Sequence, residues 1–313
     1  MAKPNLAYIP ATIGDKVYSI LPSDGVGDFD FTRADGSSPT GVTRINAQGL
    51  IEEVASGENR LNYSLLDGEV VGCPHLLLEP QRTNLLQYSE DFSQWVNSNS
   101  SDLSNQLISP DGTLNADKLI TNNGSINGQV TKSISKSASA ITYTYSVFAK
   151  KGEWNRCNLY VSDTATFNNR AQFFVDLETG EVIQAATIGT FSSASGFSEN
   201  YGNGWFRFSI TFTTSTETSI TARIYSFDSV VTTGDGTSGI YIYGAMLEEG
   251  SYSTSYIKTT SAAVTRAAET CNGSGDAATF NDSEGVLMAE ISALANDGTN
   301  RVLGISDNSA SDR

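Results

Sequence analysis

The chain has little of what most enzymes work with. Among its 313 residues there is one histidine, His75, and only three cysteines, Cys73, Cys157 and Cys271, spaced far apart. A Ser-His-Asp or Cys-His arrangement would have to recruit His75. That residue lies between Pro74 and an apolar run, with no nucleophile-elbow motif beside it. No cysteine pair stands at metal-binding spacing, and no glycine-rich phosphate loop occurs. Three scattered cysteines argue against a disulfide framework; they read as free thiols, with one long-range bridge as the alternative. Charge is scarce too, at 17% of residues against roughly 25% in an average globular protein. Basic charge is the scarcer sign, 19 Lys and Arg against 35 Asp and Glu, a net −16. Lys132, Lys136, Lys150 and Lys151 are dispersed among Ser and Thr, so a phosphate backbone would be repelled and no nucleic acid is expected. Neither a signal-peptide pattern nor an apolar run of transmembrane length is found, so the expectation is no membrane insertion and assembly in the cytoplasm.

What the chain does have is alternation. A hydrophobic content of 39% is ample for a core, and apolar residues recur every second position rather than at helical spacing. Phe206, Phe208, Ile210 and Phe212 alternate with Arg207, Ser209, Thr211 and Thr213, which predicts a strand with one wet face. Ile141, Tyr143, Tyr145 and Val147 do the same against Thr142, Thr144 and Ser146, and Ile220, Ala222 and Ile224 against Thr221, Arg223 and Tyr225. Around Tyr241 and Tyr243 both faces are expected to be covered. The run Glu178-Thr-Gly-Glu181 between Phe173–Leu177 and Val182-Ile183 predicts a hairpin, with glycine where a positive φ is cheap. Many short strands parted by Gly, Asn and Ser turns predict an all-β jelly-roll sandwich.

Three regions follow. Residues 1–88, weakly periodic and proline-bearing, form an irregular N-terminal anchoring segment that needs another surface to dock on. Residues 89–266 form the jelly-roll β-sandwich. Residues 267–313 start a second β domain, with strands expected at 285–294 and 301–306 and too few partners to bury a sheet face. The expectation is that this last domain is incomplete and that the chain continues.

Three sequence blocks carry a resemblance. The first comprises Phe29–Ala34, Asn46–Glu52 and Arg60–Tyr63. The second is the run LLLEPQRTNLLQYSEDFSQW from Leu76 to Trp95, followed by Pro110–Leu119. The third runs from Tyr241 to Tyr256 and closes on Ala263-Val-Thr-Arg-Ala267. In order and spacing they resemble head and tail fibre or spike proteins of tailed phages, with a carbohydrate-module-like jelly roll and a following concanavalin- or laminin-G-like domain. The resemblance implies a virion-surface structural protein and no enzyme, with a head fibre slightly favoured over a tail fibre. It further implies a homotrimer, and an N-terminal segment that contacts capsid or tail proteins. No catalytic set comes with it, and no physical reason for Arg82-Thr-Asn84 is visible in the sequence. The alternatives are a carbohydrate-binding module of a secreted glycan-degrading system and a ligand-free capsid decoration protein.

Carbohydrate is the ligand the residues suit best. Sugar C–H faces stack on aromatic rings while hydroxyls bond to amides, carboxylates and arginine. Trp154, Tyr160, Tyr201, Trp205 and Tyr225 are the glycan-binding candidates, beside Asn155, Arg156, Asn200 and Arg207; each ring could equally be core packing. The adjacent pairs Glu52-Glu53 and Glu248-Glu249 read as solvated turn residues, not a hydrolytic pair. No cofactor is expected; a structural calcium held by loop oxygens is compatible with a jelly roll, although no EF-hand spacing occurs.

Overall fold

The computed structural model describes residues 6–13, 16–21, 24–33, 41–55, 58–231, 233–274, 279, 286 and 288–293. Strands β1 (Ala7–Ile13), β2 (Lys16–Leu21) and β3 (Phe29–Arg33) come first. Two hairpins follow, β4 (Thr43–Ile45) with β5 (Ile51–Glu53), and β6 (Leu61–Leu66) with β7 (Glu69–Leu76). The short β8 (Arg82–Asn84) and a single 3-10 turn, Phe92–Gln94, lead into the main body. Its strands are β9 (Val96–Ser98), β10 (Ser100–Ile108), β11 (Leu114–Thr121), β12 (Gly128–Ser135), β13 (Thr142–Lys150) and β14 (Arg156–Asp163). They continue through β15 (Arg170–Asp176), β16 (Val182–Ile188), β17 (Ser192–Asn200), β18 (Trp205–Thr213), β19 (Ser219–Phe227) and β20 (Gly239–Glu249). β21 (Val264–Arg266) and β22 (Glu269–Asn272) close the series.

These make an all-β sandwich, as the alternation predicts. One six-stranded sheet runs β10-β11-β20-β13-β18-β17 and the other β16-β15-β14-β19-β12-β9, every pairing antiparallel. Between them lie Tyr143, Tyr145, Val147, Phe208, Ile210, Phe212, Ile240 and Ile242 from the first sheet. The second contributes Val130, Leu159, Val161, Phe173, Val175, Ile220, Ala222 and Ile224. The hairpin expected at 178–181 joins β15 to β16, with Gly180 at φ +75. β20 lies between β11 and β13 in the middle of its sheet, where the same period-2 pattern meets partners on both edges.

The first sheet is roofed. Phe148, Trp205, Tyr243 and Met246 on its outer side pack with Ile51, Tyr256 and Ile257 into a second apolar cluster. Segments far apart in sequence supply the roof: Val42 bridges Ile257, the Thr43 hydroxyl donates to the Tyr256 carbonyl at 2.6 Å, and Leu85 N–H donates to the Leu247 carbonyl at 2.9 Å. Gly244, at φ +61, makes a bulge in β20 opposite β13 that turns both Tyr243 and Met246 outward; a Cβ there would meet the Phe148 ring at 2.8 Å. The wet faces expected for β13 and β18 are therefore dry, with Arg207 and Ser209 each only 5% exposed. Arg207 instead donates to the Thr254 carbonyl at 2.7 Å and to Ser146 Oγ at 3.0 Å.

A buried ionic clasp holds the roof. Arg60 Nη1 donates to Glu79 Oε2 at 2.7 Å, and Arg266 Nη1 to the same oxygen at 2.9 Å. Arg60 Nη2 pairs with Glu269, and Ser255 N–H and Oγ donate to the two Glu79 oxygens at 2.8 and 2.6 Å. Burial alone would raise the Glu79 carboxyl; the guanidiniums of Arg266 and Arg60 and the Ser255 donors outweigh it and hold it at about 2. Asn84 supplies the reason missing for its motif. Its amide donates to the Ala245 and Ile257 carbonyls at 3.1 and 2.8 Å, and its oxygen accepts from Leu86 and Leu247 N–H, both at 3.1 Å. Arg82 pairs with Glu248 at 3.5 Å, and Glu248 is a buried strand residue, not the solvated turn residue its neighbours suggest.

β22 pairs with β3, so the four-stranded sheet β1-β2-β3-β22 joins residues of the first and last regions. Val286 and residues 288–293 carry no strand and are exposed; the strand expected at 301–306 lies outside the described residues. Cys73 and Cys157 are free thiols, the first exposed and the second buried.

Candidate functional site: an open sheet face and a carboxylate cleft

Residues opposite one another in antiparallel strands share a face, and the registers of the second sheet define its outer surface. One row is Thr131, Arg223, Tyr160, Gln172 and Ala186; the next is Gln129, Tyr225, Asn158, Phe174 and Gln184. Among the described residues no roof strand pairs with this sheet.

An aromatic cluster is built on it. The Tyr160 ring lies edge-on to Tyr225 at 5.8 Å and tilted against Phe167 at 5.7 Å. Arg223 lies beneath them, its guanidinium 3.9 Å from the Phe167 centroid and 5.8 Å from that of Tyr160. It is fixed from below by Ser162 Oγ at 2.8 Å and the Thr221 carbonyl at 3.1 Å. Phe167 is 40% exposed and has φ +66, a left-handed backbone that a bulky residue adopts only when held there. Asp163 holds it: its carboxylate accepts the N–H groups of Thr166, Phe167 and Asn169 at 2.6, 3.1 and 2.8 Å. Burial pulls this carboxyl up, and those donors outweigh it and hold it below the usual range. The Tyr160 and Tyr225 phenols are pushed up, chiefly by burial.

The second surface is a cleft of about 390 Å³ between the roof and the first sheet, lined by Thr43, Glu53, Glu90, Asp111, Tyr243 and Lys258 among others. Tyr243 Oη donates toward both Glu90 Oε1 at 2.9 Å and Asp111 Oδ2 at 3.2 Å, so one phenol proton serves two carboxylates. Tyr256 Oη reaches Glu90 Oε1 at 3.2 Å, and Lys258 Nζ reaches Glu90 Oε2 at 3.1 Å and Glu53 at 3.5 Å. Burial pushes Glu90 up against the pull of Lys258. Burial acts the same way on Asp111, but hydrogen bonds from Ser109, Thr113 and Asn115 outweigh it and hold that carboxyl down. Two neighbouring carboxyls are thus pushed in opposite directions.

The five aromatics named from sequence separate. Tyr160 and Tyr225 meet on the open face. Trp154 and Trp205 are 4% and 2% exposed; Trp154 packs into the sandwich core, and Trp205 donates its indole N–H to the Ile108 carbonyl at 3.1 Å. Tyr201 is half-buried, edge-on to Phe148 at 4.9 Å under the roof. Sequence reasoning missed Phe167, whose backbone conformation leaves no mark in the residue pattern. It also missed Glu90, Asp111 and Tyr243, although each lies inside a block singled out for resemblance. His75 lies on β7 opposite Asn62. Among the described residues no group of three or more His, Cys, Asp or Glu side chains is arranged to hold a metal ion.

No protein-family model matches the chain. No curated protein matches it. A solved structure it is similar to is the enzymatically active domain of bacteriophage CBA120 tailspike protein 4, at 12% identity and a TM-score of 0.33. That likeness covers 53% of this chain and 21% of the other, so this chain matches about a fifth of the tailspike domain, and no residue role is taken from it. The expectation of a chain that is no enzyme is corrected here: the neighbour is an enzymatically active domain. The Glu90–Asp111 pair in the cleft is a separate reason not to class the chain as inert.

Proposed function

We propose that the chain is a surface protein of a tailed-phage particle, of the fibre or spike kind, and that its sandwich binds host-surface polysaccharide. The observation that carries the binding role is the Tyr160–Phe167–Tyr225 cluster over Arg223, on the outer side of the second sheet, with Phe167 40% exposed. A held, exposed ring, with half-buried Gln172 and Gln129 on the outward rows of the same sheet, offers stacking and amide hydrogen bonds together. The phage assignment is supported by the three sequence blocks and by the sandwich they enclose. In this reading residues 1–88 face the particle, a head fibre is preferred to a tail fibre, and the assembly is a homotrimer. The test is a glycan array probed with the intact chain and with Phe167→Ala. Binding that weakens about tenfold in the variant supports the reading; no binding by the intact chain refutes it.

A second reading, glycan cleavage at the cleft, is favoured by the opposed displacement of Glu90 and Asp111, the pairing that glycoside hydrolysis uses. New reducing ends released from a bound polysaccharide by the intact chain, and not by Glu90→Gln, would establish it.

A further inference from the structure

The charge on the open face is opposite to that of the chain. Overall the sequence carries −16. On the outward rows of this sheet the charged residues are Arg156, Arg170, Arg223 and Asp176. Arg156 and Asp176 pair with each other at 3.3 Å, which leaves the arginines of the central rows in excess. Neither Arg170 nor Arg223 forms an ion pair with a described carboxylate. The nearest acid, Asp163, is engaged by the loop N–H groups that hold Phe167. Glu217, beyond it, accepts from Asn169, Thr190 and Ser215. Arg170 donates from Nη1 to the Phe167 carbonyl at 3.2 Å, and its buried Nε has no acceptor among the described residues. A planar donor fork held at the foot of an exposed ring, with one donor unmet, suits a planar or tetrahedral anion.

We propose that the polysaccharide this face takes is acidic, one that bears carboxylate, sulfate or phosphate groups; this rests on the polysaccharide-binding reading above. The sugar ring stacks on Phe167 while its acidic group meets the half-buried Arg170 guanidinium beside it; Arg223, 6% exposed beneath the ring, adds positive charge without direct contact. A chain of net −16 repels such a polymer at long range, so binding depends on contact with Arg170, with Arg223 behind it, and on no general basic surface.

An array of matched pairs tests it, each acidic glycan beside its carboxyl-reduced or desulfated counterpart, probed with the intact chain at low and high salt. The expected result is binding confined to acidic members and weakened by salt. Arg170→Gln should lose about tenfold in affinity, and Arg170→Lys should recover part of it. Equal binding to both members of each pair, insensitive to salt, overturns the acidic assignment and leaves polysaccharide binding standing. Binding to no member overturns the reading beneath it. The salt series on the intact chain decides the matter even where a variant folds poorly.

Discussion

The two outer faces of the sandwich begin from the same sequence pattern and end differently. On β13 and β18 the outward residues are largely Thr, Ser and Arg, and on β14 and β19 they mix Thr, Ser and Arg with Asn158, Tyr160 and Tyr225; the first pair is covered by distant segments, the second by its own Phe167 loop, and Arg207 and Arg223 end up 5% and 6% exposed. Polar side chains on a strand therefore do not by themselves indicate solvent. Under the roof Arg207 is engaged by a backbone carbonyl and a serine hydroxyl. On the open face Arg223 is engaged from below and capped by a ring that water still reaches. The two arginines are thus equally buried, and what differs is the cover: distant segments over Arg207, a local loop with a half-open ring over Arg223.

The comparison breaks most sharply at the clasp. Arg60→Ala leaves Glu79 and Glu269 buried with part of their positive charge removed, and should cost about 3–5 kcal/mol in urea unfolding. Asn84→Ala strands two carbonyls and two N–H groups between roof and sheet, with an expected loss of about 2–3 kcal/mol by the same measurement. On the open face the scale is smaller: Phe167→Ala should change stability by under about 1 kcal/mol while polysaccharide affinity falls about tenfold. If that variant instead unfolds the protein, the ring is structural and the two faces are alike.

The pH profile sharpens the comparison least, since both of its limbs come from the roof and the sheet beneath it. Glu79 is held at about 2 against an ordinary 4.5, so its stabilising contribution is complete above 4.5 and is lost as pH falls toward 2. Asp117 is the reverse. Burial raises it from 3.8 to about 6 despite the N–H groups of Phe92 and Asn105, so its contribution is complete below 3.8 and is lost as pH rises through 6. Stability measured from pH 2 to 7 should therefore peak between about 3.8 and 4.5 for these two groups. Glu79→Gln should flatten the acid limb alone.

Strand positions were legible in the sequence because period-2 alternation is a local signal, and so was the hairpin at Gly180. Which faces are dry was not. The roof over β13 and β18 comes from residues 41–54 and 254–258, and nothing in the strands themselves announces a cover supplied from so far away. Asn84 looked arbitrary for the same reason, since its four partners belong to three other places in the chain. Of the aromatics, Trp154, Trp205 and Tyr160 are all buried and Tyr225 is half-buried; what separates them is where each packs, Trp154 in the sandwich core, Trp205 under the roof, and Tyr160 with Tyr225 on the outer side of the second sheet. Glu90, Asp111 and Tyr243 were inside the resembling blocks, but only the fold brings those blocks to one cleft.

Hydrogen exchange of the intact chain with and without a bound polysaccharide tests the account most directly. Slowed exchange at residues 158–174 and 219–227, with 41–54 and 254–260 unchanged, is the outcome it predicts. Protection confined to 41–54 and 254–260, with 158–174 untouched, would contradict it.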